Sequence, residues 1–143
     1  MSTEAIQHVV ATYYALLRTA HIADTHVQSW TQLWDEAATM EDPVGTAFGR
    51  AMGREQIGER LRYNLASMFH SVDIHEQVVI IQPREHHAAV YWTAQMTYRN
   101  EALVYPGKRG KVYTIDGMTL FTLNHTDSAI VSLVAVWDYA QLL

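Results

Sequence analysis

Residues 88–99, AAVYWTAQMTYR, decide the fold, because apolar and polar side chains alternate along almost the whole stretch. Successive side chains of a β-strand point to opposite faces, so one face of this strand carries every second residue. That face consists of Ala88, Val90, Trp92, Ala94, Met96 and Tyr98. Residues 72–82, 102–105, 111–124 and 129–139 are predicted to be further strands, and turn residues at 106–110 and 125–128 separate the later ones.

The residues before position 70 follow a helical period instead. Apolar residues recur at steps of three and four in a first helix, at Ile6, Val9, Val10, Tyr13, Leu16, Leu17 and Ala20. A second stripe, formed by Val27, Trp30, Leu33, Trp34 and Ala37, begins after Asp24 and Thr25, either of which could cap its first turn. A short strand at 38–41 and a third helix at 54–69 follow.

The order of these elements predicts an α+β fold. Three helices near the N-terminus would pack inside a curved, mostly antiparallel sheet. Such a sheet encloses a pocket, and we expect that pocket to hold a hydrophobic small molecule.

Length and composition narrow the classes of protein further. The chain has 143 residues, 49% of them apolar, which is typical of one domain spanning 1–143. Ten Lys and Arg against 15 Asp and Glu give a net charge of -5, which disfavours a nucleic-acid partner. No apolar run is long enough for a membrane span, and no basic segment near the N-terminus suggests a targeting peptide, so we expect a cytoplasmic protein.

Neither a metal nor a cofactor is predicted. The chain has no cysteine, and none of its eight histidines lie two, three or four residues apart, as a pair on one helix turn or strand face would. A Gly-rich phosphate loop is also missing from the sequence. The chemistry must therefore come from carboxylates, imidazoles or phenols.

Asp42 has two interpretations. The sequence Asp42-Pro43-Val44-Gly45 has the residues that a type I turn prefers, and turn formation alone would explain it. A carboxylate at the end of a short strand beside an apolar pocket is also well placed to act as a general base.

Asp116 also leaves two alternatives open. It shares its parity with Val112, Met118 and Leu120, so strict alternation would place its carboxyl on an apolar face. An unpaired carboxyl buried there would keep its proton and act as a hydrogen-bond donor. Alternatively, Gly117 marks a β-bulge that turns Asp116 towards water.

Several segments together resemble the ketosteroid isomerases of the nuclear transport factor 2-like superfamily. These are Val9-Val10-Ala11-Thr12-Tyr13, Ala38-Thr39-Met40-Glu41-Asp42-Pro43-Val44-Gly45, and Tyr113-Thr114-Ile115-Asp116. Gly53-Arg54-Glu55-Gln56-Ile57 and the strand ending at Trp137 are similar as well. The resemblance implies a cone-shaped α+β barrel, and the second segment is its most specific part.

The resemblance also implies a reaction and a set of site residues. Asp42 would move a proton along a hydrophobic ketone, as in a steroid delta-isomerase, while Tyr13 and Asp116 would donate hydrogen bonds to the ketone oxygen. Substrate-binding residues would be Trp34, Leu61, Trp92, Met118, Leu133 and Trp137. Relatives of this kind pair through the exposed face of the sheet, so a homodimer is expected.

Two other functions remain open. A polyketide cyclase or epoxide hydrolase of the same superfamily would keep the cavity and change the reaction. The limonene epoxide hydrolases use an Asp-Arg-Asp arrangement, which would need Arg62 or Arg99 in the pocket. The third possibility is a non-catalytic binding or dimerisation module, which the leucine at position 61 favours, because the isomerases carry a supporting tyrosine there.

Overall fold

Two helices open the chain. The computed structural model describes residues 3–98 and 111–142. Helix α1 runs over Thr3–Thr19 and buries Ile6, Val9, Val10, Tyr13 and Tyr14 along one face, which confirms the first predicted stripe. Helix α2 is shorter than predicted and spans Asp24–Thr31. It begins at Asp24 after Ala23 with no side-chain cap, so the predicted cap at Asp24 or Thr25 is wrong.

The second apolar stripe ends in a strand and not in a helix. Strand β1 covers Trp34–Glu41, four residues longer at its start than the predicted segment. Trp34 pairs with Ile130, and the Ile130 amide donates to the carbonyl of Leu33 at 2.8 Å, which starts the ladder before a helix could continue. Tertiary pairing therefore overrides the local helical period.

A short strand and a third helix follow. Strand β2, Arg50–Met52, was not predicted and pairs with the end of β1. Helix α3, Arg54–Tyr63, passes into a π-helical turn at Asn64–Met68 before strand β3 begins at Phe69. The predicted helix at 54–69 thus combines two helical segments.

The remaining strands complete a six-stranded sheet. They are β3 (Phe69–Gln82), β4 (His87–Tyr98), β5 (Val112–Leu123) and β6 (Ile130–Trp137), close to their predicted bounds. The order across the sheet is β2-β1-β6-β5-β4-β3, with β1 and β6 parallel and the other neighbours antiparallel. The mixed α+β class and the mostly antiparallel sheet are confirmed. The predicted strand at 102–105 and the predicted turn at 106–110 lie outside the described residues.

The sheet curls around α1, and the core lies between them. Tyr13 of α1 packs edge-on against Phe121 of β5 with ring centroids 5.0 Å apart, and Arg18 donates to the carbonyl of Ile74 in β3 at 3.0 Å. In the part of the chain that the structure describes, no helix has the length and apolar character to cross a membrane.

Candidate functional site

An apolar cavity opens between α1, α3 and the inner face of the sheet. Three of its lining residues are ionisable, namely Tyr13, Asp42 and Arg60, and Asn64, Trp30 and Trp137 add polar atoms. The rest of the described wall is formed by Leu17, Met40, Phe48, Leu61, Leu65, Met68, Phe69, Val72, Ile74, Trp92 and Met96. An apolar hollow with a few convergent polar groups is the usual form of a small-molecule site.

The parallel pairing of β1 and β6 brings Asp42 to this cavity. Glu41 pairs with Val134, so the carboxyl ends of the two strands lie side by side, although the strands are far apart in the chain. Asp42 follows β1 directly, and Trp137 is the last residue of β6. The Trp137 indole Nε1 donates to Asp42 Oδ1 at 2.7 Å.

Backbone contacts fix the loop that carries Asp42. The Asp42 amide donates to the carbonyl of Gly49, and the Val44 amide donates to the carbonyl of Ala135, both at 2.8 Å. The bond between Asp42 and Pro43 is cis. Only glycine fits at position 49, because a Cβ there would overlap the Pro43 carbonyl oxygen.

The surroundings of Asp42 favour its protonated form. Burial raises the pKa of Asp42 above its usual value, and the hydrogen bond from Trp137 opposes this rise by stabilising the carboxylate. A carboxylate with a raised pKa is a stronger base than an exposed aspartate and still ionises as the pH rises. The environment is thus suited to proton transfer.

Tyr13 lines the same cavity. Its side chain is buried among aromatic rings, with Tyr14, Trp30 and Phe121 at centroid distances of 4.9, 5.6 and 5.0 Å. Burial raises the pKa of Tyr13, and the nearby negative charge of Asp42 raises it further. The phenol therefore keeps its proton and acts as a hydrogen-bond donor.

Asp116 lies on the opposite face of the sheet. Strand β5 alternates regularly, with Tyr113, Ile115, Gly117, Thr119 and Phe121 inward and Asp116 exposed. Asp116 pairs with Thr93 and Gly117 with Trp92 in unbroken register, so the predicted bulge at Gly117 is wrong as well. The parity of Asp116, Met118 and Leu120 was predicted correctly, but their shared face is the outer one.

The inner face of β5 needs glycine at position 117. The Trp92 ring lies against Gly117, and a Cβ there would overlap it. The Trp92 indole Nε1 donates to the buried Thr119 hydroxyl at 2.8 Å. These contacts hold the ring of Trp92 against the cavity wall.

Five of the nine predicted site residues line the cavity and four do not. Tyr13, Asp42, Leu61, Trp92 and Trp137 line it. Of the four others, Asp116 lies on the outer face, Met118 is 57% exposed beside it, and Trp34 and Leu133 are buried in the core. Trp34 lies against Trp30, at a centroid distance of 5.4 Å, and Trp30 takes its expected place in the wall.

Among the described residues, the arginine in the cavity wall is Arg60, which the sequence did not suggest. Arg62 is exposed, with its Nε 3.6 Å from Asp24 Oδ1, and Arg99 lies outside the described residues. Arg60 lines the cavity instead and donates from Nη1 to the carbonyl of Phe48 at 2.9 Å. No group of three or more His, Cys, Asp or Glu side chains suited to a metal ion occurs within residues 3–98 and 111–142.

The size of the cavity limits the ligand. Its volume is about 80 Å³ in this conformation. An apolar cavity of roughly 150 Å³ is known to bind benzene, so this cavity must widen modestly to admit a single six-membered ring. A four-ring steroid would need it to widen far more.

Comparison with solved structures supports the fold. A proposed polyketide cyclase from Pseudomonas putida KT2440 is 16% identical with a TM-score of 0.80, and the match covers 100% of this chain and 99% of that one. SalBIII, an epoxide hydrolase/cyclase-like enzyme of pyran ring formation in salinomycin, is 23% identical with a TM-score of 0.75, covering 99% and 97%. An NTF2-like protein of unknown function from Exiguobacterium sp. 255-15 is 16% identical with a TM-score of 0.73, covering 91% and 98%.

Sequence comparison identifies the family. No curated protein matches the chain significantly in sequence. The family model of the SnoaL-like domain matches residues 10–133, a stretch that includes both Tyr13 and Asp42 of the cavity. With most of its length matched, the chain belongs to the family of SnoaL-like domains.

Proposed function

We propose that the protein is an enzyme that removes a proton from the carbon beside a carbonyl group in a small hydrophobic substrate. The observation that carries this proposal is the Asp42 carboxyl, which is held by Trp137 at an apolar cavity that Tyr13 also lines. A base and a hydrogen-bond donor at one apolar site are the two groups that enolisation requires.

The first step uses both residues. The ionised Asp42 carboxylate takes the proton, the C–H bond breaks, and its electron pair forms a C=C bond while the carbonyl becomes an enolate oxygen. The Tyr13 hydroxyl donates a hydrogen bond to that oxygen, and the bond strengthens as negative charge develops there. The raised pKa of Asp42 makes it a suitable proton acceptor.

The fate of the enolate separates an isomerase from a cyclase. Return of the proton from Asp42 to a more distant carbon would move the double bond, as in the isomerases that the sequence resembles. Attack of the enolate carbon on an electrophile in the same molecule would instead close a ring. An isomerase site of the resembled type needs two hydrogen-bond donors, Tyr13 and Asp116. Because Asp116 lies on the outer face, Tyr13 is left as the donor of that pair, and we propose enolisation in general and not isomerisation alone.

Isomerisation of cyclohex-3-en-1-one tests this proposal, since its ring is small and the conjugated product absorbs ultraviolet light. We expect Asp42→Asn to lower the rate on the order of 10²–10⁴-fold, the usual contribution of a positioned base. Tyr13→Phe should lower it roughly 10²–10³-fold, as the loss of an oxyanion donor does. Asp116→Asn, on the outer face, should leave the rate unchanged.

The controls in this assay decide between the candidate functions. Equal rates for the wild type and Asp42→Asn would refute the role of Asp42 as the base. A rate that falls in Asp116→Asn would instead support the arrangement implied by the resemblance, in which Tyr13 and Asp116 both donate to the ketone oxygen. Binding of the ketone without turnover would favour the non-catalytic module.

A second candidate reaction is the opening of an epoxide by water or a hydroxyl group. It is favoured by Arg60, which places a guanidinium in the same cavity wall as Asp42. Asp42 would accept the proton of the attacking hydroxyl as the new C–O bond forms and the epoxide C–O bond breaks. Arg60 or Tyr13 would donate a hydrogen bond to the departing oxygen, which then takes a proton from water to give the alcohol. Incubation with cyclohexene oxide and measurement of the diol distinguishes this reaction from enolisation.

We also propose that two copies of the chain pair through an outer patch, defined as Val78, Ile80, Tyr91, Met118, Leu120 and Val136. Each of these residues is between 37% and 59% exposed. Val78, Tyr91, Met118 and Val136 lie opposite one another in register across four strands, and Ile80 and Leu120 belong to a neighbouring row. A contiguous apolar surface on one face of a sheet suits a two-fold symmetric interface.

A further inference from the structure

Arg60 is the basic residue among the described residues that line the cavity. Its guanidinium lies 5.6 Å from the centre of the Phe48 ring and donates one hydrogen bond, to the Phe48 carbonyl. The side chain is partly buried, and it forms no ion pair with any residue that the structure describes. A guanidinium carries five N–H donors in a planar fork, so most of its capacity is left for a ligand.

Asp42 does not neutralise this charge. The Asp42 carboxyl accepts its hydrogen bond from Trp137, and no ion pair among the described residues joins it to Arg60. The cavity therefore holds a carboxyl and a guanidinium at separate positions. A partly buried cation with no counter-ion is costly to maintain, and a ligand anion would remove that cost.

Asn64 provides a second polar group next to Arg60. It lies four residues further along, one helical turn away on the same face, and it also lines the cavity. Its Oδ1 is buried without a partner among the described atoms. The π-helical turn begins at Asn64, and such turns occur frequently at functional sites.

We propose that Arg60, assisted by Asn64, binds the carboxylate of a hydrophobic carboxylic acid whose apolar part occupies the cavity. Rotation of the Asn64 amide by a half turn presents its Nδ2 to the carboxylate beside the Arg60 fork. The apolar chain of the acid then occupies the cavity that Leu61, Met68 and Asp42 also line. The inference rests on the proposed function for the fate of this acid, whereas its binding is independent of turnover.

Paired neutral and charged ligands test the proposal by isothermal titration calorimetry at neutral pH and low ionic strength. The probes are 3-phenylpropanoate and 3-phenylpropanamide, which differ in charge and little in shape. We expect the wild type to bind the acid roughly tenfold more tightly than the amide, a difference of about 1.4 kcal/mol. Added salt should reduce this preference, because it screens the ion pair.

Four variants separate charge from structure. Arg60→Gln should abolish the preference for the acid, and Arg60→Lys should retain most of it. Asn64→Asp should also abolish the preference, because the new carboxylate would pair with Arg60 one turn away. Arg62→Gln, which removes the same charge from an exposed position two residues on, should leave it unchanged.

The ratio of the two affinities makes the result decisive. If Arg60→Gln weakens acid and amide equally, the residue only supports the Phe48 loop and the proposal is overturned. It is also overturned if the wild type binds the amide as tightly as the acid, or binds neither. The two proposals can fail separately. If the affinity ratio depends on Arg60 but no activity depends on Asp42, this inference stands and the proposed function is refuted.

Discussion

Replacement of Asp42 by asparagine should stabilise the protein, and the gain should depend on pH. Asparagine keeps the oxygen that accepts the hydrogen bond from Trp137 and removes the charge that burial disfavours. Because the folded state raises the pKa of Asp42 above 3.8, it still holds the proton at pH values where the unfolded chain has lost it. Wild-type stability therefore falls as the pH rises through that interval.

The change of this stability difference with pH follows from one proton, which the folded protein retains over a pH interval where the unfolded chain has lost it. The difference in unfolding free energy between Asp42→Asn and the wild type should be independent of pH below pH 3.8, where Asp42 is protonated in both states. It should grow by about 1.4 kcal/mol per pH unit between the unfolded and the folded pKa of Asp42, and stay constant above the folded value. The pH at which the difference stops growing measures the folded pKa of Asp42.

Urea denaturation followed by far-ultraviolet circular dichroism across a pH series measures this difference. Glu59→Gln, at an exposed position of α3, controls for the removal of a carboxylate and should follow the wild-type profile. A difference that is independent of pH, or one that shrinks as the pH rises, would show that Asp42 is not held in a desolvated site. The reasoning behind the proposed base would then fail as well.

Three further predictions concern the sheet. Gly117→Ala should destabilise the protein by about 1–3 kcal/mol in urea denaturation, since the added Cβ displaces the Trp92 ring; an unchanged midpoint would contradict this packing. Thr119→Val should cost about 1–3 kcal/mol, because it leaves the buried Trp92 indole N–H without its acceptor, and a loss of well under 0.5 kcal/mol would mean that the N–H finds another partner. Met118→Lys together with Leu120→Lys should convert a dimer into a monomer in analytical ultracentrifugation while the far-ultraviolet spectrum stays the same, and a wild type that sediments as a monomer would refute the pairing.

The sequence predicted elements well where a side-chain period ran uninterrupted. The helical stripe of α1 and the alternation of β4 both lie at their expected positions, because each buries one continuous face. The prediction of the second helix is wrong at its end. Trp34 and Ala37 fit a helical period, but they belong to a strand that is fixed by its pairing with β6. Pairing with a partner about a hundred residues away leaves no mark in the local period.

The candidate site could be predicted only in part, again because tertiary contacts leave no mark in the local sequence pattern. Alternation shows which residues of a strand share a face, but it does not show which face meets the core when both carry apolar side chains. On β5, the row with Met118 and Leu120 and the row with Ile115 and Phe121 are both apolar, and the first is the exposed one. Asp116 shares the first row, so its placement needed the tertiary structure.

Arg60 and Asn64 were missed although a signal for them exists. Ile57, Leu61 and Leu65 mark the inward stripe of the third helix, and a residue three positions after one member of a stripe lies on its flank. Arg60 and Asn64 hold that flanking position after Ile57 and Leu61. Polar residues there are usually solvated, so only the cavity itself distinguishes them from surface side chains.

The hydrogen bond between Trp137 and Asp42 should make the fluorescence of Trp137 sensitive to the ionisation of Asp42. The emission of an indole responds to charge at its nitrogen, and here that nitrogen contacts the carboxyl proposed as the base. Gain or loss of a single proton should thus change the fluorescence of Trp137, and Trp137→Phe should remove that change. The ionisation of Asp42 can therefore be followed in the unlabelled protein, with no substrate added.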